Sequence, residues 1–383
     1  MPADGAGTFA LVATVKDEGP YLWEWVAYHR MIGFHDIIIF QNDSTDGTHE
    51  ILAELARHNL VTYKYNRAPR GCHQVRAYTR ATRQPGYLAA DWVMALDLDE
   101  FLVIHAGDGT LPALLKAMPA FDCAYINWRK FGNSGFVTPQ GGLLTETFTR
   151  CETGADMAKR VEAFKALFRR AAYARPGVHV PRALETGPDD LRIVNGSGLS
   201  PDAFITRNFQ CSDPGLQRFA QVNHYIVRDA SSFILKSAKG SAHQANRKID
   251  HRYWRGRNRN GSEDLRLAAL APRLKAAMQQ MDQLTGGKLA ALTQQARAHH
   301  LQEIETVMAE DWARQLYQRC VTDPSAQLPE QAGATPTGTI IYIRDKRPAG
   351  APPVPQAGNE LPTEGGRSKA RAASAGSGRN SLA

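Results

Sequence analysis

Two periods of hydrophobicity alternate along the first 105 residues. Phe9–Val15 is a short, almost wholly apolar run, the pattern of a strand buried on both faces. Asp17 then stands where a helix would be capped and Pro20 where its first turn would fall. Leu22, Trp25, Val26, His29 and Ile32 follow at helical spacing, and Gly33 ends the run. A second strand is predicted over 36–41 (DIIIFQ). The polar loop 42–48 follows it, with Asp46 placed to cap a helix that buries Ile51, Leu52 and Leu55. Leu60–Tyr65 reads as a third strand, 72–83 as a helix, and 91–96 (DWVMAL) as a fourth strand ending in Asp97-Leu98-Asp99-Glu100. Strands alternating with helices predict an α/β fold, a mostly parallel sheet flanked by helices with right-handed crossovers. In such sheets the ligand sits beyond the carboxyl ends of the strands, and the polar residues here fall at those ends.

Downstream the pattern changes. Residues 263–320 are rich in Ala, Leu, Gln and Glu and predict two or three helices, broken at Gly286-Gly287. Thr339–Arg344 (TIIYIR) reads as one short strand. From Pro348 to Ala383, 23 of 36 residues are Pro, Gly, Ala or Ser, too little apolar area to offset the entropy of ordering, which predicts disorder. The expected organisation is a domain over 1–262, a helical extension over 263–322 and a low-complexity tail over 323–383. The chain has 383 residues, 43% hydrophobic and 22% charged, which excludes fibrous and wholly disordered classes. No apolar run reaches the roughly 18–20 residues of a membrane-spanning helix. The net charge is +8, of which the stretch from Arg344 onward carries +4. The five cysteines show no CxxC pair, so neither a disulfide framework nor a zinc cage is expected, and a cytoplasmic setting fits.

The sharpest chemical feature is Asp97-Leu98-Asp99. If the strand continues through it, both carboxylates point to one side. Two such groups at the end of a buried strand repel unless a cation lies between them, and a hard divalent ion bridging to phosphate oxygens is the natural partner. The plain alternative is a strand-end cap beside a surface charge. Asp43, one strand over, can bond a ribose hydroxyl or a base edge. Asn42, Asp43 and Ser44 equally suit an Asx-turn. Lys165 and Arg169, four apart, would share a helix face toward phosphate or toward solvent. The run Arg247–Arg259 holds six basic residues interleaved with Tyr253 and Trp254. It reads as a nucleic-acid patch, a mobile loop closing over a diphosphate, or plain surface charge.

Residues 9–110 resemble the GT-A (Rossmann-like) glycosyltransferases, in the family 2-like branch related to glycosyltransferase family 92. TVKDEGPYLWEWVAYHRMIGFHDIIIFQNDSTDGT is similar to that family's opening signature, and VMALDLDEFL to its metal-binding strand. Asn223-His224-Tyr225, with Phe233, Lys236 and Gly240, resembles its "H-Y-x-x-(K/R)-S-x-x-x-F-x-x-K-x-x-x-G" segment, although Asp229-Ala230-Ser231-Ser232 stands where a basic residue before Ser is usual. Phe164–Pro181 has the look of its "K-x-(L/I)-x-R-P…H-x-P" segment. The resemblance implies that Thr14, Asp17 and Glu18 line a nucleotide pocket, with Asp43 on the uridine or ribose. It implies Asp97 and Asp99 as the DxD pair, Asp99 on Mn²⁺ or Mg²⁺ directly and Asp97 on ribose or on the metal through water. His224 becomes a late metal ligand or a donor to the diphosphate, with His179 as its rival. Lys236 and Lys239 neutralise phosphate charge.

The expected reaction is transfer of a sugar from a nucleotide donor, a UDP-sugar by family likeness, to a glycan or polysaccharide acceptor. Related families invert, and inversion needs a carboxylate base. Glu146 is the first candidate, with Glu100 and Asp264 behind it. No nucleic-acid partner is expected. The extension and basic tail offer peripheral contact with an anionic membrane, on its inner face. Two other readings compete. One is a haloacid dehalogenase-type phosphatase, whose D-x-D normally continues Gly-Thr rather than Glu100-Phe101. The other is a non-catalytic RNA- or polysaccharide-binding protein on the same scaffold.

Overall fold

The apolar run near the start of the chain is the middle of a parallel array. In the computed structural model, which describes residues 7–69, 72–158, 161–184, 190–240 and 249–328, β1 (Phe9–Val15) lies between β2 (Asp36–Gln41) and β4 (Trp92–Ala95), with β3 (Thr62–Tyr65) beyond β2. These four strands are mutually parallel, so their carboxyl ends share one edge. β5 (Glu100–Ile104), β6 (Cys123–Lys130), β7 (Glu162–Arg169) and β8 (Ala220–His224) complete the order β3-β2-β1-β4-β7-β6-β8-β5. β7 runs antiparallel to both β4 and β6, and β8 antiparallel to β5, so the sheet is mixed. The α/β architecture is the expected one.

The order forces a curl. β4 and β5 are joined by residues 96–99 alone, yet β5 sits four strands away. Four steps across a flat sheet are about 19 Å. A fully extended link from Ala95 to Glu100 reaches about 17 Å, and this one contains a turn. The sheet therefore curls until β5 returns beside the end of β4, bringing the DLD segment against β7 and β8.

α1 (Gly19–Met31) packs into the curl. Leu22, Trp25, Val26 and Tyr28 are fully buried, each contributing about 1.5–3 kcal/mol of burial. Trp25 Nε1 also donates to the Glu100 carbonyl (2.8 Å) and Tyr28 Oη to that of Leu102 (2.7 Å), tying α1 to β5. α2 (Thr48–Arg57) and α3 (His73–Ala81) follow β2 and β3, and α4 (Ala230–Lys239) follows β8. After α5 (His251–Arg257), the helices α6 (Ala271–Leu284), α7 (Lys288–Met308) and α8 (Asp311–Val321) lie back on the domain. α6 and α7 pack on α1, α7 also on α2 and α4, and α8 on α4. The break at Gly286-Gly287 is as expected, both residues having positive φ (64° and 84°). Gly19 is required by contact: a Cβ there would stand 2.8 Å from that of Ala296 on α7.

Several local expectations change. The Asp17 side chain does not cap α1. Its Oδ1 accepts from the Thr45 amide (2.8 Å), and the α1 amide of Gly19 donates instead to Asp46 (2.8 Å). Asp46 also accepts from the Thr48 amide, but the N-cap of α2 is Gly47. Lys165 and Arg169 lie on a strand rather than a helix, and Glu146 on the short helical turn Leu144–Thr147. Residues 251–257 of the basic run are helical rather than loop, because the Asp250 carboxylate caps them and Trp254 is buried against Phe233. Arg247 and Lys248 lie outside the described residues, as do the strand expected at 339–344 and the tail from 348. Among the described residues no helix is long and apolar enough to cross a membrane, and all five cysteines are free thiols.

Candidate functional site

The carboxyl ends of β1, β2 and β4 and the near ends of β5, β7 and β8 converge on Asp97-Leu98-Asp99. This segment is a turn, not a continuation of β4, and its two carboxylates diverge into separate cationic settings. Asp97 accepts from Gln74 on α3 (2.9 Å) and from Lys165 on β7 (2.9 Å). Lys165, 1% exposed, also meets Glu100 Oε2 at 3.0 Å, and that oxygen accepts from the Asp97 amide as well. Burial alone would lower the Lys165 pKa, but Asp97 and Glu100 more than offset it, so the ammonium stays charged. Glu100, fully buried, is pushed up to about 7 by burial, with Lys165 pulling against it.

Asp99 lies between His224 at the end of β8 (Nε2 to Oδ1 3.6 Å) and Lys236 on α4 (3.3 Å). Burial would raise its pKa, but Lys236 and His224 hold its carboxyl well below the usual range. Lys236 is fixed by donating to the Ile226 carbonyl (2.8 Å). One turn on, Lys239 reaches Asp17 (3.2 Å) and Glu303 on α7 (3.0 Å). Arg228 donates to Glu18 (2.7 Å) and lies over the Tyr21 ring at 3.8 Å.

At the other end of the edge, Asp43 is exposed after β2 and accepts from the Tyr65 hydroxyl. Behind it, Asn66 donates to Asn42 (2.7 Å). Thr14 lies within β1, paired in register with Phe40. Asp17, Asp43 and Arg228 all have positive φ (54°, 47° and 54°). Asp tolerates this conformation better than most residues, and such positions concentrate where a fold holds side chains toward a ligand.

The structure thus brings together Asp17, Glu18, Asp97, Asp99, His224, Lys236 and Lys239, with Asp43 on the same edge. It does not bring the other two candidates in. Glu146 pairs with Lys275 on α6 (2.7 Å), and Asp264 is held by Arg129 and Arg266 (both 2.7 Å) with Gln221 (2.9 Å). His179 donates through Nδ1–H to the Phe164 carbonyl (2.8 Å) and meets the edge of Trp128, which in turn packs on His224 at 4.2 Å. Two residues of the site, Lys165 and Arg228, carry little signal in the sequence. Lys165 was assigned to a helix because its near-continuous apolar neighbours allow either reading. Arg228 is four after His224, the basic position of the family segment itself. The basic residue of that segment is therefore present, and the difference is Asp229 in place of Ser, which caps α4 by accepting from the Ser232 amide (2.9 Å).

Whether this site suits a divalent ion turns on its donors. Asp99 Oδ1 and His224 Nε2 converge, and oxygen with imidazole suits Mn²⁺. Asp97 is taken up by Lys165 and Gln74, and among the described residues no three His, Cys, Asp or Glu side chains form one cluster. Ions of this kind commonly take one or two protein ligands and leave the rest to phosphate oxygens, so the pair fits.

Residues 13–200 match the family model described as Glycosyltransferase family 92. A glycosyltransferase family 92 protein from Oryza sativa subsp. japonica is 27% identical over 146 residues, 37% of this chain and 24% of that protein, so the chain matches about a quarter of its relative's length. Among solved structures, S. aureus TarS 1-349 in complex with UDP-GlcNAc is 12% identical, with a TM-score of 0.30, over 80% of this chain and 92% of that one. Glucosyl-3-phosphoglycerate synthase from Mycobacterium tuberculosis, in complex with Mn²⁺, UDP and glucosyl-3-phosphoglycerate, is 12% identical, with a TM-score of 0.26, over 49% of this chain and 70% of that one. Likenesses this weak add nothing to the chemistry. The family match favours the glycosyltransferase reading over the phosphatase and the RNA-binding protein.

Proposed function

Taking the chain as a glycosyltransferase related to family 92, we propose that it moves a sugar from a UDP-sugar to a hydroxyl of a glycan acceptor, with inversion and with a divalent ion. The observation that carries this reading is Asp99 facing His224 and Lys236 at the mouth of a parallel α/β edge. Asp99 and His224 would hold the ion, which when bound supplies positive charge for the leaving diphosphate. Lys236, held at the Ile226 carbonyl beside Asp99 with its side chain 37% exposed, would supply positive charge to a phosphate. Lys165 and Gln74 hold Asp97 in place, so Asp97 serves as a fixed acceptor for a ribose hydroxyl. Asp43, exposed at the end of β2 two strands over, would serve the uridine.

Neither candidate base lies in this cluster: Glu146, its side chain 42% exposed, pairs with Lys275, and Asp264, at 2%, is locked by two arginines, so the reading rests on neither. The reading places the chain in the cytoplasm, with peripheral contact at an anionic membrane. Calorimetric titration of UDP with and without Mn²⁺, on the native chain and on Asp99→Asn, tests it. Binding that needs the ion and is lost in the variant supports the reading. No binding of UDP under either condition would overturn it.

A further inference from the structure

A row of rings leads outward from Asp99. His224 faces Asp99, Trp128 packs on His224 at 4.2 Å, and His179 meets Trp128 at 5.5 Å. Phe209 then stacks on His179, with centroids 6.3 Å apart and planes 19° from parallel. Phe209 ends this row in the open, 57% exposed. It sits at the tip of the hairpin Thr206–Arg207 and Gln210–Cys211, whose second strand pairs with Ala163 and Glu162 of β7, the strand that carries Lys165.

The tip is built at a disadvantage. Its two central residues, Asn208 and Phe209, both have positive φ (48° and 60°), as a type I′ turn requires. Asn suits the first position. The second is a glycine position, where a bulky side chain is an outlier. The hairpin thus carries strain at the residue whose ring it leaves in solvent, and strain of this kind points to a binding role. His179 is held by its Nδ1 at the Phe164 carbonyl and, with burial and Lys165 lowering its pKa to about 4, it is neutral. Nδ1–H donating to that carbonyl leaves Nε2 as an acceptor for a hydroxyl.

We propose that Phe209 and His179 form the acceptor subsite, the Phe209 face stacking on the apolar C–H face of a pyranose and His179 Nε2 accepting from one of its hydroxyls. A sugar is the occupant because the row combines an exposed aromatic face with a neutral hydrogen-bonding edge and ends at the group proposed to hold the donor. This rests on the glycosyl-transfer reading above, and deepens it by naming where the acceptor docks.

Saturation-transfer NMR on the full chain, with methyl glucosides, galactosides and N-acetylglucosaminides and their disaccharides as probes, tests the subsite. In the native chain the C–H protons of one ring face should take up saturation. Phe209→Ala and Phe209→Gly should weaken that binding about tenfold, the worth of one aromatic contact, while Phe209→Trp preserves it. UDP affinity should be unchanged in all three. Phe209→Gly should also melt at the native temperature or above, since glycine relieves the turn, whereas a ring with only a structural role would lower it. Unchanged sugar binding in the Ala and Gly variants, or no probe binding to a native chain that does bind UDP, would overturn the subsite. Sugar binding through Phe209 in a chain that fails to bind UDP would uphold the subsite and sink the transfer reading instead.

Discussion

Glu100→Gln isolates the buried charge beneath the DLD turn. Glu100 is 0% exposed, its Oε2 shared by Lys165 Nζ (3.0 Å) and the Asp97 amide (2.9 Å), while Oε1 is buried with no partner. Burial lifts its pKa from 4.5 to about 7. Below pH 4.5 the carboxyl is protonated in both folded and unfolded chains, and its contribution to stability is fully present. As the pH rises through the folded value, the unfolded chain gives up its proton first, so stability falls and levels off above about pH 7. A difference of about 2.5 pH units corresponds to about 3 kcal/mol in full, and to about 2–3 kcal/mol between pH 5 and pH 8. Glutamine keeps an oxygen for Lys165 and the Asp97 amide but cannot ionise. The variant should therefore lose about 2–3 kcal/mol less than the native chain over that interval. Urea denaturation at pH 5, 6, 7 and 8, followed by tryptophan fluorescence, reads the difference. A variant-minus-native stability that stays flat within about 0.5 kcal/mol across the series would refute the linkage.

Two further outcomes follow from the ion pairs. Arg228→Ala leaves Glu18, its side chain 24% exposed, without its guanidinium partner and should destabilise the chain by about 1–3 kcal/mol in urea. Arg228→Lys should restore only part of this, because lysine lacks the plane that lies over Tyr21. Glu146→Gln, at a residue paired with Lys275 outside the Asp99 cluster, should leave kcat for sugar transfer and UDP affinity unchanged, as measured by a coupled UDP-release assay. A fall of about 10²–10⁴-fold would instead make Glu146 the acceptor base.

The parallel half of the fold was legible because its strands are apolar runs and its helices are punctuated by Pro20, Gly33 and the 42–48 loop. Boundaries moved by one or two residues, as for β3 and α3, where a half-buried strand end and a frayed turn carry little signal. The second half was harder to read. β7 has the composition of a helix or a strand, and its identity comes from antiparallel pairing with β4 and β6 rather than from local propensity. Asp97 and Asp99 announced themselves in the sequence, but their partners did not, since Lys165 and Lys236 are brought to them by the curl of the sheet. The α1 cap lies elsewhere for a similar reason: Asp46 serves a helix that precedes it in the chain, while Asp17 holds the loop at Thr45.

The curl also dictates when the pocket can exist during synthesis. Lys165 meets Asp97 across 68 residues, Lys236 meets Asp99 across 137, and Arg228 meets Glu18 across 210. A nascent chain that has emerged only as far as β6 carries Asp97, Asp99, Glu100 and Glu18 without any of these cations. It can close the parallel half of the sheet, all four of whose strands precede β6, but it cannot neutralise the edge. Contacts of such long range are slow to form, because loop closure precedes any gain from the pairs themselves. Donor binding should therefore be the last property the chain acquires, appearing only after α4 has left the ribosome.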